Sequence, residues 1–327
     1  MGTRSWQVSV IIPVYNSERC LQQALDSVLA QSWDDFKIIV VDDGSETDTA
    51  AQVVAQTQQS SIRPIRYLRQ DNQGPAAARN QGLAMSDSEF VAFLDSDDTF
   101  DPNKLSLQVG MMTDLPKDYA FVTGGQRRYS QDTPTKTKIV LPSLVDGDIY
   151  QALVKGDVRI PWTPGAHLFR RSALTAVGGF DPRLRYGEDK ELLIRLARKF
   201  RVKTYREVVL CKRLHSRSLS TSLDQEILLE SISYLVNKLK QSDPDLSEVV
   251  LNGIHQTAIV SATIRSLSRQ ENPYRSIALI KKTVRRTGLS ISWRARARIA
   301  LAYALMLARQ AGRFVTDRRE SKPLTLL

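Results

Sequence analysis

Short apolar, β-branched runs alternate with helical patterns over the first hundred residues, and this alternation constrains the fold more than any other feature of the chain. Strands that alternate with helices form a mainly parallel, doubly wound sheet, in which ligands bind beyond the carboxyl ends of the strands. The sequence therefore predicts an α/β fold with a site at that edge. The predicted strands are residues 8–13, 36–41, 65–68 and 90–94, and the helices between them are 16–31, 47–58 and a third that begins at 74–75.

Acidic residues follow two of these strands directly. Asp42 and Asp43 come at the end of the second strand, and Asp95 and Asp97 follow the last one. Because residues i and i+2 at a strand end project to the same side, we expect the carboxylates of Asp95 and Asp97 to converge on one cation. Oxygen ligands of this kind suit Mg²⁺ or Mn²⁺. The alternatives are a solvated acidic turn after the last strand and an ordinary tight turn after the second, where Asp and Gly are common.

A series of short motifs surrounds and follows these acidic residues. They are Val-Ile-Ile-Pro-Val-Tyr-Asn at 10–16, Val-Val-Asp-Asp-Gly-Ser at 40–45, Asn-Gln-Gly-Pro-Ala-Ala-Ala-Arg-Asn at 72–80, Phe-Leu-Asp-Ser-Asp-Asp at 93–98, Gly-Gly-Phe-Asp at 178–181, Gly-Glu-Asp at 187–189, and Arg213 with His215 and Ser218. In this order, over roughly residues 8–220, the chain resembles the family 2 glycosyltransferases. The resemblance implies the GT-A fold, a doubly wound mixed sheet, followed here by a C-terminal helical extension.

The resemblance also implies an activity and its reagents. The activity is transfer of a sugar from a nucleotide-sugar to an acceptor hydroxyl, with inversion at the anomeric carbon. UDP is the nucleotide we expect by analogy, and the acceptor would be a saccharide or a lipid-linked molecule in cell-surface polysaccharide or glycolipid synthesis. The implied cofactor is Mg²⁺ or Mn²⁺.

Roles for individual side chains follow from the same resemblance. Asp97 would hold the metal, with Asp95 beside it and His215 assisting from a late loop. Asp189 would be the catalytic base, and Glu188 would stand next to it. The side chains expected around the nucleotide and its diphosphate are Pro13, Tyr15, Asn16, Glu18, Asp43, Arg79, Asp95 and Ser96.

Several of these residues also have a purely structural interpretation. Asp189 begins a predicted helix, 189–200, where a carboxylate commonly caps free N–H groups or meets the helix dipole. Tyr15 could pack in the core, Arg79 could be a solvated helix residue, and His215 could be an ordinary loop histidine. Trp162 could form the floor of an acceptor site or fill the core.

Two other functions compete with glycosyl transfer. A nucleotidyltransferase on a similar scaffold would need a glycine-rich loop with a Lys or Arg after the first strand, and residues 14–18 contain neither. A non-catalytic module that binds nucleic acid through basic residues would leave the paired acidic strand ends unexplained, and the C-terminal region lacks clusters of stacking aromatic residues. No nucleic-acid partner is therefore expected.

The pattern of strands and helices changes near residue 222, where we predict a domain boundary. Residues 1–222 would form the catalytic domain, with 1–98 as the nucleotide-binding half and 99–222 as the acceptor half. Residues 223–327 would form a basic helical region. The polar residues 130–138 predict a loop.

The net charge of +11 is concentrated in that C-terminal region. After position 250 there are 15 Lys or Arg residues and three Asp or Glu residues. Arg294, Arg296 and Arg298 precede an apolar run at 300–308. As a helix, this pattern suits the interface of an anionic membrane, and we predict such contact through residues 275–327. The alternative is that the apolar face packs on the catalytic domain or on a second subunit.

Cysteine content and hydropathy indicate the compartment. The two cysteines, Cys20 and Cys211, are too few for a disulfide framework, which favours a reducing cytoplasm. No secretory signal pattern precedes the first strand, and no apolar run reaches the length of a spanning helix. We therefore expect a cytoplasmic protein, peripheral at the inner face of the cell membrane if the C-terminal region binds lipid.

Overall fold

The computed structural model describes residues 6–130, 137–214, 225–244, 246, 251, 281–285 and 299. Contacts within the chain divide it into two compact units, Met1–Ser218 and Leu219–Leu327. His215 and most of residues 275–327 lie outside the described residues, as does the side chain of Glu18. What the sequence predicts for them stays a prediction.

Within the described residues, the larger unit contains one mixed sheet of ten strands. The strands are β1 (Val8–Val14), β2 (Phe36–Asp42), β3 (Ile65–Arg69), β4 (Phe90–Phe93), β5 (Thr99–Phe100), β6 (Tyr119–Ser130), β7 (Thr137–Val140), β8 (Asp146–Gly147), β9 (His167–Arg170) and β10 (Arg201–Leu214). Their order is β3-β2-β1-β4-β9-β6-β10-β5, with β7 paired to β6 and β8 paired to β10. Strands β1 to β4 pair in parallel, whereas β9 is antiparallel to both β4 and β6.

Helices connect these strands, and four of them lie where the sequence predicts a helix. They are α1 (Glu18–Leu29), α2 (Thr49–Ser60), α3 (Pro75–Ala84), α4 (Lys104–Asp114), α5 (Tyr150–Lys155), α6 (Arg171–Ala176) and α7 (Glu188–Lys199), with a short 3-10 turn at Pro164–Ala166. The α/β architecture with a parallel first half is therefore confirmed.

The core lies where β1, β2 and β4 pack against the flanking helices. Every residue of β1 is buried, as expected of a central strand covered on both faces. Leu21, Leu25 and Val28 share one face of α1 and are fully buried, so the helix packs through its apolar stripe. On α3, a Cβ at Gly82 would lie 2.4 Å from Cγ2 of Ile11, so glycine allows α3 to approach β1 closely.

The predicted loop at 130–138 is wrong at both of its ends. Ser130 belongs to β6, and Thr137 and Lys138 belong to β7, which pairs antiparallel to β6. Strand β7 is largely solvent-exposed and buries no apolar face. Its sequence therefore lacks the alternating apolar pattern from which a strand is predicted.

His167 is a core residue. Its ring packs edge-on against Phe121 and Phe169 and is fully buried. Burial lowers the pKa of His167 to about 3, so the imidazole is neutral. A neutral ring buried among aromatic side chains gives His167 a structural role.

The smaller unit is described mainly through one helix, α8 (Gln225–Ser242). Leu228, Leu229, Ile232, Leu235 and Val236 are buried along this helix. Within the described ranges, no helix combines the length and the apolar character that a bilayer crossing requires.

Candidate active site

The loops that follow β1, β2 and β4 meet at one edge of the sheet and are joined by hydrogen bonds. The backbone N–H of Asn16 donates to Oγ of Ser45 over 3.1 Å, and the N–H of Glu46 donates to Oδ1 of Asn16 over 2.9 Å. Asn16 has φ +47°, a left-handed conformation that asparagine tolerates better than most residues. The hydroxyls of Ser17 and Ser96 share a further hydrogen bond. Two predicted site residues, Asn16 and Ser96, therefore connect the three loops.

Asp43 is buried and anchors the loop that leads into α3. Its Oδ1 accepts from Nε2 of Gln70 at 2.8 Å and from the N–H of Gln73 at 2.9 Å, and its Oδ2 accepts from the N–H of Gly74 at 2.7 Å. Gly44 turns the chain there with φ +78°, and a Cβ at this position would lie 2.9 Å from the backbone nitrogen of Asn72. Asp43 thus shapes this end of the sheet, and its contact with a nucleobase stays a prediction.

Pro13 and Tyr15 lie beside this loop. Pro13 is buried within β1, whereas the side chain of Tyr15 is 49% exposed. An aromatic face with that exposure is open to a ligand, and the core-packing alternative for Tyr15 does not hold. Glu18 is the first residue of α1.

Arg79 connects the loop after β4 to the start of α7. Its Nη2 donates to Oδ1 of Asp95 over 2.8 Å, and its Nη1 donates to Oε1 of Glu188 over 3.0 Å and to Oδ1 of Asp189 over 3.3 Å. The guanidinium is buried and lies over the ring of Phe180. Arg79 is therefore no solvated helix residue: it holds three carboxylates from sequence-distant segments around one cation.

Asn80 supports this arrangement from the next position of α3. Its Nδ2 donates to the carbonyl of Phe180, and the N–H of Phe180 donates to its Oδ1, both over 2.8 Å. Gly179 precedes Phe180 with φ +68°, and a Cβ there would lie 2.5 Å from Oδ1 of Asn80. The Gly-Gly-Phe-Asp motif is thus fastened to α3, which orients the segment that leads to Glu188 and Asp189.

Three carboxylates after β4 form a group that suits a metal ion. One oxygen from each of Asp95, Asp97 and Asp98 lies within 4.8 Å of the others. Asp98 is 1% exposed; its Oδ1 accepts from the N–H of Arg213 at 2.9 Å, while its Oδ2 has no hydrogen-bond partner among the described residues. A hard divalent cation prefers oxygen ligands of this kind. The residues present therefore fit Mg²⁺ or Mn²⁺.

The protonation of these carboxylates depends on their neighbours. Burial raises the pKa of Asp98 to about 8, although the ammonium of Lys212 opposes the shift. At Asp95 burial also favours the neutral form, but Arg79 and Lys212 outweigh it and hold the pKa of Asp95 below its ordinary value. Asp95 is thus ionised at neutral pH, and a bound dication would ionise Asp98 as well.

Asp189 lies at the first turn of α7, whose N-cap is Gly187 with φ +81°. Its side chain is 25% exposed. Burial and the adjacent carboxylate of Glu188 raise the pKa of Asp189 well above its ordinary value, although Arg79 opposes the shift. A carboxylate of raised pKa is a stronger base than an ordinary aspartate.

Next to Asp189, Lys190 places its ammonium 5.1 Å from the ring centre of the half-buried Trp162. Burial lowers the pKa of Lys190. The ring of Trp162 therefore contacts the residue that follows Asp189 in the first turn of α7.

The sequence interpretation assigned no role to Asp98 and Lys212, which the structure brings to the carboxylate group. Asp98 follows Asp97 directly in the sequence, so its place in the carboxylate group could have been predicted. Lys212 is on β10, and its ammonium lies 3.7 Å from Oδ2 of Asp95 and 3.5 Å from Oδ2 of Asp98. Its position depends on pairing between β10, β5 and β6, which no local pattern indicates.

Comparison with known proteins identifies a family and a fold. Residues 9–178 match the family model of Glycosyl transferase family 2. The succinoglycan biosynthesis protein ExoW of Rhizobium meliloti is 41% identical over 128 residues, which cover 38% of this chain and 40% of ExoW. The chain spans less than half of the length of the first curated relatives it matches, in one case 15%.

Solved structures of similar shape include two glycosyltransferases. TarS 1–349 of S. aureus, in complex with UDP-GlcNAc, has a TM-score of 0.62 at 18% identity and covers 91% of this chain and 87% of TarS. The mannosyltransferase PcManGT of Pyrobaculum calidifontis, in complex with GDP-Man and Mn²⁺, has a TM-score of 0.55 at 18% identity and covers 96% and 84%. These likenesses confirm the expected GT-A fold.

Proposed function

We propose a function for this chain from the premise that it belongs to glycosyltransferase family 2. The proposed reaction is transfer of a sugar from a nucleotide-sugar, with UDP as nucleotide, to an acceptor hydroxyl with inversion at the anomeric carbon. The observation that carries the proposal is the Arg79 cluster. One buried guanidinium contacts Asp95, at the edge of the metal-ligand group, as well as Glu188 and Asp189 in the opposite half.

The donor would lie across the loops after β1, β2 and β4. Tyr15 offers an exposed aromatic face for the nucleobase, and Asp43 supplies a carboxylate that is held in place by three donors. The floor of this donor site would include Pro13. Asn16 and Ser96 would keep its three loops together through their hydrogen bonds, and Glu18 begins the adjacent helix α1. The diphosphate would then lie toward Asp97, with Arg79 as a fixed cation behind Asp95.

Asp95, Asp97 and Asp98 would hold Mg²⁺ or Mn²⁺, and His215 would assist. When bound, the metal supplies positive charge that stabilises the departing diphosphate. Burial lowers the pKa of Arg79, but the three carboxylates outweigh it and raise the pKa above its ordinary value. The guanidinium therefore stays protonated and adds a permanent positive charge nearby. Fixed charges of this kind stabilise a transition state because they need no reorganisation during the reaction.

Asp189 would act as the base. As the acceptor oxygen forms its bond to the anomeric carbon, the bond from that carbon to the diphosphate oxygen breaks and its electron pair leaves with the nucleotide. The acceptor proton moves to the carboxylate of Asp189. Attack from the face opposite the leaving group inverts the anomeric centre. The raised pKa of Asp189 favours this proton transfer.

The acceptor class that we propose is a saccharide or a lipid-linked molecule of cell-surface polysaccharide or glycolipid synthesis. The name of ExoW, a succinoglycan biosynthesis protein, supports a polysaccharide. The half-buried Trp162, which contacts Lys190 in the first turn of α7, supports it further, because aromatic faces pack well against sugar rings. We propose that the protein acts in the cytoplasm and contacts the inner membrane face through residues 275–327.

A panel of nucleotide-sugars tests the proposal. Thermal unfolding and release of nucleoside diphosphate are measured for UDP-, GDP- and dTDP-sugars in the presence of Mg²⁺ or Mn²⁺. We expect at least one UDP-sugar to raise the unfolding temperature and to be hydrolysed slowly in the absence of acceptor. The proposal would be overturned if no donor in the panel raised the unfolding temperature and none was hydrolysed.

A further inference from the structure

Lys212 places a positive charge where the three carboxylates after β4 would meet a metal ion. Its ammonium lies 3.7 Å from Oδ2 of Asp95 and 3.5 Å from Oδ2 of Asp98. Both separations exceed the roughly 2.8 Å of a charge-assisted hydrogen bond. Lys212 therefore faces both carboxyl groups without the short contacts of a charge-assisted hydrogen bond.

Asp98 is the buried member of this group of carboxyl side chains. The side chain is 1% exposed, and Oδ2 has no hydrogen-bond partner among the described residues. A buried carboxylate oxygen without a hydrogen bond is costly, because burial removes its contacts with water. The unpartnered oxygen faces the ammonium of Lys212 and belongs to the group that fits a divalent cation.

The two cations of the site differ in how firmly they are held. Arg79 is buried and donates three hydrogen bonds, to Asp95, Glu188 and Asp189. Lys212 is 24% exposed, and its ammonium approaches Asp95 and Asp98 only to 3.7 and 3.5 Å. A lysine ammonium on its flexible four-carbon stem can change partners, whereas a guanidinium in several fixed hydrogen bonds cannot do so cheaply.

We propose that Lys212 is an exchangeable counter-cation of the metal site. Without metal it stays beside the carboxyl groups of Asp95 and Asp98 and balances the charge of the ionised Asp95. When a divalent cation binds these carboxylates, the ammonium is repelled, leaves them, and pairs with the diphosphate of the donor. This inference rests on the proposed function, because it takes a nucleotide diphosphate as the ligand that follows the metal.

The proposal predicts two effects of opposite sign when the charge of Lys212 is removed. Metal alone should bind more tightly, because a competing cation has gone. Nucleotide diphosphate should bind more weakly once metal is present, because its second cationic partner has gone. A purely structural ion pair would instead weaken both, since its loss would leave the carboxylates less ordered.

The experiment uses the full chain and two titrations. Free Mn²⁺ is followed by electron paramagnetic resonance in the absence of nucleotide, and UDP binding is then measured by calorimetry at saturating Mn²⁺. Lys212→Met removes the charge and keeps most of the side-chain volume. Lys212→Arg keeps the charge. Lys203→Met is the matched control, because Lys203 is on the same strand and pairs with Asp146 outside the carboxylate group.

For Lys212→Met we expect Mn²⁺ affinity to rise by about tenfold and UDP affinity to fall by about tenfold, as removal of one unit charge a few ångströms away implies. Lys212→Arg should largely restore the wild-type values, and Lys203→Met should match wild type in both titrations. Unchanged or weaker Mn²⁺ binding by Lys212→Met would overturn the inference. Failure of the wild-type chain to bind Mn²⁺ at all would instead overturn the proposed metal site.

Discussion

At the residue scale, Asp189 is defined by the charges that surround it. Glu188 brings a second carboxylate next to it, and Arg79 bridges both. Burial and Glu188 raise the pKa of Asp189, whereas Arg79 lowers it. The balance between these neighbours therefore determines the pH at which Asp189 can accept a proton.

Glu188→Gln should lower the pKa of Asp189. The substitution removes a negative charge that disfavours ionisation of Asp189. The ion pairs of Arg79 with Asp95 and Asp189 remain. Because the base must be ionised to work, activity rises with pH through this pKa. The acid limb of the kcat/KM profile for donor hydrolysis should therefore move to lower pH in Glu188→Gln.

Asp189→Asn provides the control for that profile. If Asp189 is the base, this variant should keep UDP affinity and lose roughly 10²-fold or more of its turnover. An acid limb that stays in place in Glu188→Gln would exclude Asp189 as the titrating group. Wild-type turnover by Asp189→Asn would reduce this carboxylate to a structural role.

Asp43→Ala should weaken nucleotide binding while the metal site stays able to bind inorganic pyrophosphate. The substitution removes the acceptor of three hydrogen bonds, from Gln70, Gln73 and Gly74. Loss of a hydrogen bond to a charged group costs about 1.5–3 kcal/mol, so UDP affinity should fall by roughly tenfold or more.

Calorimetry with UDP and with pyrophosphate separates the two effects of Asp43→Ala. Asp48→Ala is the matched control: Asp48 lies near the same loop, is exposed, and pairs with Arg69 at the surface. UDP affinity equal in Asp43→Ala and Asp48→Ala would contradict the proposed nucleobase role.

At the element scale, the sequence predicts the parallel half of the sheet because each of its strands is a compact apolar run. Strands β1, β2 and β4 are almost wholly buried, and most of their side chains are apolar. The pair β6 and β7 escapes prediction because β7 is exposed and its register depends on β6 rather than on its own pattern.

The candidate site likewise has a part that the sequence predicts and a part that it does not. The acidic ends of β2 and β4 could be predicted, since parallel strands bring their carboxyl ends to one edge. The Arg79 cluster could not, because Arg79 and Glu188 are 109 residues apart and meet through α3 and α7. The resemblance to a family supplied Asp189 as a candidate, but it did not supply the contact with Arg79.

Gly82→Ala should destabilise the catalytic unit through the packing of α3 on β1. A Cβ at position 82 would lie 2.4 Å from Cγ2 of Ile11 in a core strand, and overpacking of this kind typically costs about 1–3 kcal/mol. Because α3 also carries Arg79, a shifted helix should reduce activity as well. Chemical denaturation and donor hydrolysis measure the two effects.

Gly110→Ala is the matched control in α4. Nothing lies within 4 Å of a Cβ at this position, so alanine should stabilise the helix by about 0.5–1 kcal/mol through its higher helix propensity. Equal stabilities of Gly82→Ala and Gly110→Ala would show that α3 does not need its close approach to β1.

At the scale of the whole molecule, basic charge and candidate site belong to different parts of the chain. The carboxylate and guanidinium groups of the site lie in the first unit, Met1–Ser218, whereas most of the net positive charge follows position 250. An enzyme that uses a lipid-linked acceptor gains from a basic region that holds it at an anionic surface.

Replacement of Arg294, Arg296 and Arg298 by Gln should weaken binding to anionic vesicles. Each cation near such a surface contributes about 1 kcal/mol at moderate salt, so partitioning should fall by roughly tenfold or more. Cosedimentation with anionic and neutral vesicles measures it. The control replaces three exposed lysines of the first unit, Lys117, Lys138 and Lys155, by Gln. If the wild-type protein does not bind anionic vesicles at low salt, the membrane prediction is wrong and packing against protein is the better interpretation of this region.

The central claim is that this chain uses a nucleotide-sugar with a divalent metal held by Asp97 and its neighbours. Release of nucleoside diphosphate from the preferred donor, in Mn²⁺ and then in excess chelator, tests it most directly. We compare wild type with Asp97→Ala and with Asp87→Ala, which loses a surface pair with Lys37 ahead of β4. We expect turnover by wild type and Asp87→Ala in Mn²⁺, and none in chelator or by folded Asp97→Ala. Full turnover in chelator, or by Asp97→Ala, would contradict the account.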